Sequence, residues 1–325
     1  MSQLGIGLIG AGRHGSRYAR HIVDDFPGLR LAALACRDRA AGERQATAFR
    51  CRWYGDYHDL ISAPDVEAIV VAVPPTLHVD IIETAAAMRR PVLLEKPAAV
   101  TLDDGRRMLR AVRDAHLPLM VAQTLRYNAV VRTLVAARER IGRLHALRLS
   151  QRFEPSSLPW LDDPAIAGAG MLLHTGVHSF DLLRVLSGLE AERVQCEMTR
   201  VVTSRLEDNF TAALRLSDGT TLASVAGSRA TAGRNGAIEL AGEHGQLIAD
   251  HVLHTAVLVR GTTTEPLALP PPVQTVRAVI QAFSDALGRG APMPISLDDG
   301  LRPVAVAQAC QQSAQTGRAV AVEPI

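Results

Sequence analysis

Short apolar runs and amphipathic stretches alternate through the first third of the chain. The runs Leu4–Ile9, Leu29–Ala35, Ala68–Val73, Pro91–Leu94 and Leu117–Ala122 read as strands. Between them, Arg13–Asp24, Arg39–Phe49, Thr76–Met88 and Leu102–Ala115 carry the spacing of helices. Strands that are apolar throughout and separated by helices of this length predict βαβ units on a parallel sheet buried on both faces.

Beyond residue 122 the rhythm changes. A predicted helix over Val130–Arg140 leads into the strand Leu144–Phe153 and a loop rich in Pro and Asp, followed by a helix containing GAGMLLHTGVHSFDLL, Gly168 to Leu183. Six strand-like runs follow: Val194–Thr203, Asn209–Leu216, Thr220–Ala226, Ala237–Ala241, Gln246–Ala249 and Thr255–Val259. Turn signals such as Ser217-Asp218-Gly219 separate them, so they predict a mostly antiparallel sheet. Two helices close the chain, near Val273–Leu287 and Asp299–Ala314, the second with Pro303 in its first turn and Gly317 past its end. The expected fold is an α/β Rossmann-type doubly wound parallel sheet over residues 1–122. It is joined to an α+β domain with an open, mostly antiparallel sheet over 123–325, whose last helix packs back toward the first domain.

Composition narrows the class without naming a chemistry. Over 325 residues, 47% are hydrophobic and 21% charged, as in globular proteins. Lys+Arg 35 against Asp+Glu 33 leaves a net charge of +2, with no basic tract to suggest nucleic acid. Cys36, Cys51, Cys196 and Cys310 form no CxxC pair, which suits a reducing, cytoplasmic setting. Met1–Gln3 runs straight into an apolar strand, without the layout of a signal peptide, and no apolar run approaches a membrane span.

The first predicted strand ends in Gly10-Ala11-Gly12-Arg13-His14-Gly15, a G-x-G-x-x-G. Gly10 permits a tight turn, Gly12 lets backbone approach a pyrophosphate, and Gly15 allows close helix–strand packing, with the helix N-terminus facing the phosphates. The second strand ends in Ala35-Cys36-Arg37-Asp38. An uncharged Cys36 followed by Arg37 favours the 2′-phosphate of NADP, while Asp38 leaves NAD open. The fourth strand opens onto Glu95-Lys96-Pro97 at the ligand edge of such a sheet, where a lysine can stabilise charge developing on a substrate oxygen. His78, after Val73-Pro74-Pro75, is another candidate at that edge.

His174, His178 and Asp181 share one face of an α-helix by their spacing. Histidine suits proton transfer near neutral pH. A zinc site and a hydrogen-bonded structural pair are the competing readings of the same three residues.

In this order, the glycine fingerprint, Glu95-Lys96-Pro97 and the Gly168–Asp181 helix resemble the glucose–fructose oxidoreductase/inositol dehydrogenase/MocA family. The likeness runs to the closing Ala314-Gln315-Thr316-Gly317-Arg318. The resemblance implies NAD(P)-dependent oxidoreduction of sugars, cyclitols or related alcohols, without a metal, in a homodimer or homotetramer assembled through the C-terminal sheet. It implies cofactor contacts from the fingerprint residues Gly10, Gly12, Arg13, His14 and Gly15, and from Cys36, Arg37, Pro74, His78, Glu95, Lys96 and Gln123. Lys96 takes the part of the active-site lysine, and His178 that of the histidine exchanging a proton with the substrate hydroxyl. Arg126 and His174 join them around the substrate, while the aromatics Tyr127 and Trp160 either stack on a sugar ring or serve packing. Members often carry aspartate where this chain has His174, so a nucleotide-binding sensor of the same fold, without turnover, is the alternative function.

Overall fold

The computed structural model describes residues 3–325, so the first two residues of the amino-terminal segment lie outside it. The described residues divide into two units, the first ending at 123 and including 274–300, the second 124–273 with 301–325.

In the first unit, β1 (Leu4–Ile9), β2 (Leu29–Ala35), β3 (Arg52–Tyr54), β4 (Ala68–Val71), β5 (Val92–Glu95) and β6 (Leu119–Ala122) form a sheet in the order β3-β2-β1-β4-β5-β6. Every pairing in it is parallel. The reversal of direction beside β1 places the strand-end crevice at the glycine turn. The intervening helices are α1 (Gly15–Asp25), α2 (Arg39–Phe49), α3 (Tyr57–Ser62), α4 (His78–Ala87) and α5 (Leu102–Asp114). Their starts follow local chemistry: Asp38, Asp56 and Thr101 accept hydrogen bonds from Ala41 N, His58 N and Asp104 N as helix caps. The short β3 and α3 escape the periodicity reading because neither is long enough to show a period. The later helix α9 (Thr275–Arg289) packs on α1, where Arg277 lies over the Phe26 ring and pairs with Asp25 at 3.5 Å.

In the second unit, a helix α6 (Ala129–Ala137) is capped by Asn128 and leads to β7 (Leu144–Arg152). After α7 (Pro164–Ala167), a π turn over Leu172–Gly176 runs into α8 (Val177–Ser187). The strands β8 (Ala191–Thr199), β9 (Asn209–Leu216), β10 (Leu222–Ser228), β11 (Asn235–Gly242), β12 (Gly245–Asp250), β13 (Thr255–Arg260), β14 (Thr263–Pro266) and β15 (Val320–Ala321) join β7 in one sheet. Its order is β14-β13-β12-β11-β7-β10-β9-β8-β15, antiparallel except between β7 and β10. Alternation along β9 and β10 buries one sheet face and leaves the other open.

The last helix, α10 (Leu297–Thr316), begins two residues earlier than its periodicity suggests, and Pro303 lies in its interior rather than its first turn. Its start is fixed by reciprocal bonds, Ser296 N to Asp299 Oδ2 at 3.2 Å and Asp299 N to Ser296 Oγ at 3.1 Å. That S-x-x-D box outweighs the preference of proline for a first turn. No helix among the described residues is long and apolar enough to cross a membrane.

Candidate active site

In the first unit, Gly10 has φ +98°, and a side chain there would collide with the Ala72 carbonyl. Gly12 has open space where a Cβ would stand, while Gly15 abuts the Gly10 carbonyl. Among the described residues, the N–H groups of Gly12, Arg13 and His14 find no acceptor. Unpaired amides at the mouth of α1 form a cradle that fits a pyrophosphate. The loop is held from behind by Gln45, which donates to Ala11 O at 2.6 Å and accepts from Ser16 Oγ at 3.1 Å. Nothing in the local sequence singles out Gln45, because its partner lies 34 positions away.

The same loop reaches the Glu95-Lys96 motif. His14 Nε2 and Tyr18 Oη both meet Glu95 Oε1 at 2.6 Å, and Lys96 N donates to Glu95 Oε2 at 3.0 Å. Burial alone would raise the Glu95 carboxyl. The bond and charge of His14, the charge of Lys96 and the Tyr18 hydroxyl outweigh it and hold the pKa at about 2. Glu95 is 5% exposed, so it anchors the motif from inside while Lys96 remains half-buried at the strand end.

At the end of β2, Arg37 is exposed and makes no hydrogen bond or ion pair among the described residues. Burial pushes the Cys36 thiol up, keeping it neutral, and Asp38 turns its carboxylate to cap α2. Pro74 is half-buried at the end of the β4 connection, and Gln123 is buried with its side-chain oxygen lacking a hydrogen-bond partner among the described residues.

His78 corrects the sequence reading. It has no exposed surface, and its ring nitrogens lie against Ala98 O at 3.1 Å and Val73 O at 3.2 Å. Burial lowers its pKa, and a neutral ring, with a single N–H, donates to one of these carbonyls and offers a ligand no surface.

In the second unit, the histidine helix departs from the regular geometry that the four-residue spacing assumes. His174 lies in the π turn and His178 in α8. The two rings therefore differ in setting: His174 is buried, edge-on to Trp160 at 5.4 Å, whereas His178 is partly exposed. Such widened turns concentrate at functional sites. Asp181, expected on the same face, is 1% exposed and gripped by Arg126. Tyr127 beside it is half-buried, and burial raises its hydroxyl pKa. Among the described residues, no group of three or more His, Cys, Asp or Glu is arranged to hold a metal ion.

The loop after β8 organises this helix, and sequence reasoning missed it. Glu207 accepts from Gly170 N at 3.1 Å and Leu172 N at 3.1 Å, while its own carbonyl accepts from Met171 N at 2.8 Å. A Cβ on Gly170 would overlap that carbonyl, so glycine is required by close approach. Asp162, two residues after Trp160, accepts from Leu206 N, Ser204 N and Oγ, and Arg205 N, and these bonds hold its carboxyl well below the usual range. One loop thus fixes both the Trp160 turn and the start of the histidine helix.

Residues 4–123 match the family model described as "Oxidoreductase family, NAD-binding Rossmann fold", and 129–248 match the "GFO/IDH/MocA C-terminal domain". The chain is 27% identical to the myo-inositol 2-dehydrogenase of Thermotoga maritima, over 98% of this chain and 99% of that one. It is 31% identical to the 1,5-anhydro-D-fructose reductase of Ensifer adhaerens, covering 82% of each. In fold it resembles the aldose–aldose oxidoreductase of Caulobacter crescentus, solved with glycerol, at a TM-score of 0.89 and 23% identity over 98% of this chain and 99% of that one.

Proposed function

The chain belongs to the GFO/IDH/MocA oxidoreductase family, and on that premise we propose that it oxidises or reduces a secondary alcohol or ketone of a sugar, cyclitol or related polyhydroxylated molecule, with NADP preferred over NAD. A bound nicotinamide cofactor would supply the hydride acceptor or donor. The observation that carries the reading is the His14–Glu95 contact at 2.6 Å, which joins the glycine loop to the Glu95-Lys96 motif.

Gly12, Arg13 and His14 would hold the pyrophosphate through their amides, and Arg37 the ribose 2′-phosphate. Cys36, its thiol pushed up by burial, adds no negative charge there, and the Asp38 carboxylate is engaged with Ala41 N at the start of α2. Lys96 is assigned to hydrogen-bond the substrate oxygen and favour its negative charge. His178 is assigned to take the hydroxyl proton in oxidation and return it in reduction. His174, pinned against Trp160, would orient substrate or tune His178.

The open sheet face, with Leu222 and Ile248 exposed, supports a homodimer or homotetramer assembled through it. Four free thiols support a reducing, cytoplasmic location. The experiment is cofactor absorbance with NADP and NAD across a panel of sugars, cyclitols and sugar acids. Hydride transfer with a panel member is the expected result. Tight nucleotide binding without turnover on any of them would instead indicate a sensor.

A further inference from the structure

Beyond β10, Arg229 is half-buried on the sheet face that the histidine helix covers. It continues the alternation of the buried residues Ala223, Val225 and Gly227. One guanidinium nitrogen donates to Thr175 Oγ1 at 3.0 Å, in the π turn beside His174. Among the described residues, Arg229 has no carboxylate partner. The nearby acids are engaged elsewhere. Asp181 is spent on Arg126, Asp208 on the amides of Val201, Val202 and Thr203, and Glu207 on the start of the histidine helix. Burial acts on Arg229 with no opposing charge, and lowers its pKa.

A second polar group shares this face. Gln151, 4% exposed, stands in register between Gly227 of β10 and Gly236 of β11, and its amide makes no hydrogen bond among the described residues. Phe210 and Met171 fill the space over Gly227 and the His251 ring fills that over Gly236, so side chains wall Gln151 on both sides. Four of the five donors on the guanidinium remain without a partner among the described residues.

We infer that Arg229 is a specificity-determining residue that selects a substrate bearing a carboxylate, a polyhydroxylated acid rather than a neutral sugar or cyclitol. A planar guanidinium grips a carboxylate through paired charge-assisted bonds, whereas a hydroxyl offers it one weaker acceptor. Leaving a half-buried cation without a counter-charge is unfavourable, and a ligand anion removes part of that cost. The inference rests on the proposed substrate site along the histidine helix, yet binding tests it independently of turnover.

The test is calorimetric titration of the NADP-loaded protein with D-glucuronate, D-galacturonate and D-gluconate, against D-glucose, D-galactose and sorbitol. At least one acid should bind about tenfold to a hundredfold more tightly than its neutral counterpart, with the preference shrinking in salt. Arg229→Gln should abolish the difference. Thr175→Val should keep it, because that variant removes only the hydrogen bond to the π turn. Equal or weaker binding of every acid would overturn the inference, as would loss of the preference in Thr175→Val to the same extent as in Arg229→Gln. Selective binding of an acid without its oxidation would uphold the role of Arg229 and reject the proposed hydride transfer.

Discussion

Arg126 holds Asp181 by two parallel bonds, Nε to Oδ2 at 2.8 Å and Nη2 to Oδ1 at 2.6 Å, with the carboxylate side chain only 2% exposed. This fork–fork pair ties the 3-10 turn Thr124–Tyr127 to α8 and occupies the Asp181 carboxylate. Arg126→Met should destabilise the protein by about 3–5 kcal/mol, because it strands a buried charge. Arg126→Met combined with Asp181→Leu should recover most of that loss. Urea denaturation of the two variants checks it, and a single variant as stable as wild type would show the pair to be idle.

Acid should act through Glu95. Its pKa of about 2 lies below the ordinary 4.5, so the folded protein binds its proton less readily than the unfolded chain does. The resulting stabilisation is full above pH 4.5 and fades as pH falls toward 2. Glu95→Gln should therefore lower the apparent melting temperature near pH 7 by roughly 5–10 °C. The gap to wild type should close across that acid window. A gap that stays constant with pH would place the loss in packing instead.

Cofactor choice should turn on Arg37. NADP should bind more tightly than NAD, with an advantage that diminishes in salt and disappears in Arg37→Ala. Protein-fluorescence titration with both nucleotides measures it. Tighter NAD binding in wild type would reverse the assignment.

Catalysis should fail differently at three positions. Lys96→Met should cut turnover on the order of 100-fold or more while cofactor affinity changes little. His178→Ala should remove most activity, and chelators should leave wild type unaffected. His174→Asp should keep activity and shift the acid limb of the pH–rate profile upward, because a carboxylate beside His178 favours its protonated form. Zinc-restored activity after chelation would instead make the histidine pair a metal site.

The parts of this architecture that a sequence exposes are those set by near neighbours. β1, β2 and β9 match their apolar runs residue for residue, and the glycine turn is legible because Gly10 and Gly15 serve contacts built into a strand–helix junction. Contacts made across long separations are hidden. Nothing near Gly170 announces Glu207, and nothing near Asp181 singles out Arg126 as its partner. The π turn is invisible to a 3.6-residue template, which therefore gives His174 and His178 equal standing although their burial differs. His78 follows two prolines at a helix start, a position that suggests exposure; only the fold of Ala98 over it makes the ring interior.

The Glu207 cap has a consequence for how the protein is made. Leu172 and its capping carboxylate are 35 residues apart, so a chain emerging from the ribosome presents the histidine segment well before the group that fixes its start. Until the β8–β9 connection has been synthesised, Gly170 and Leu172 must turn their amides to water. A nascent chain halted before residue 207 should thus carry both histidines on a frayed segment, and the histidine helix should acquire its final shape only once that later loop has left the exit tunnel.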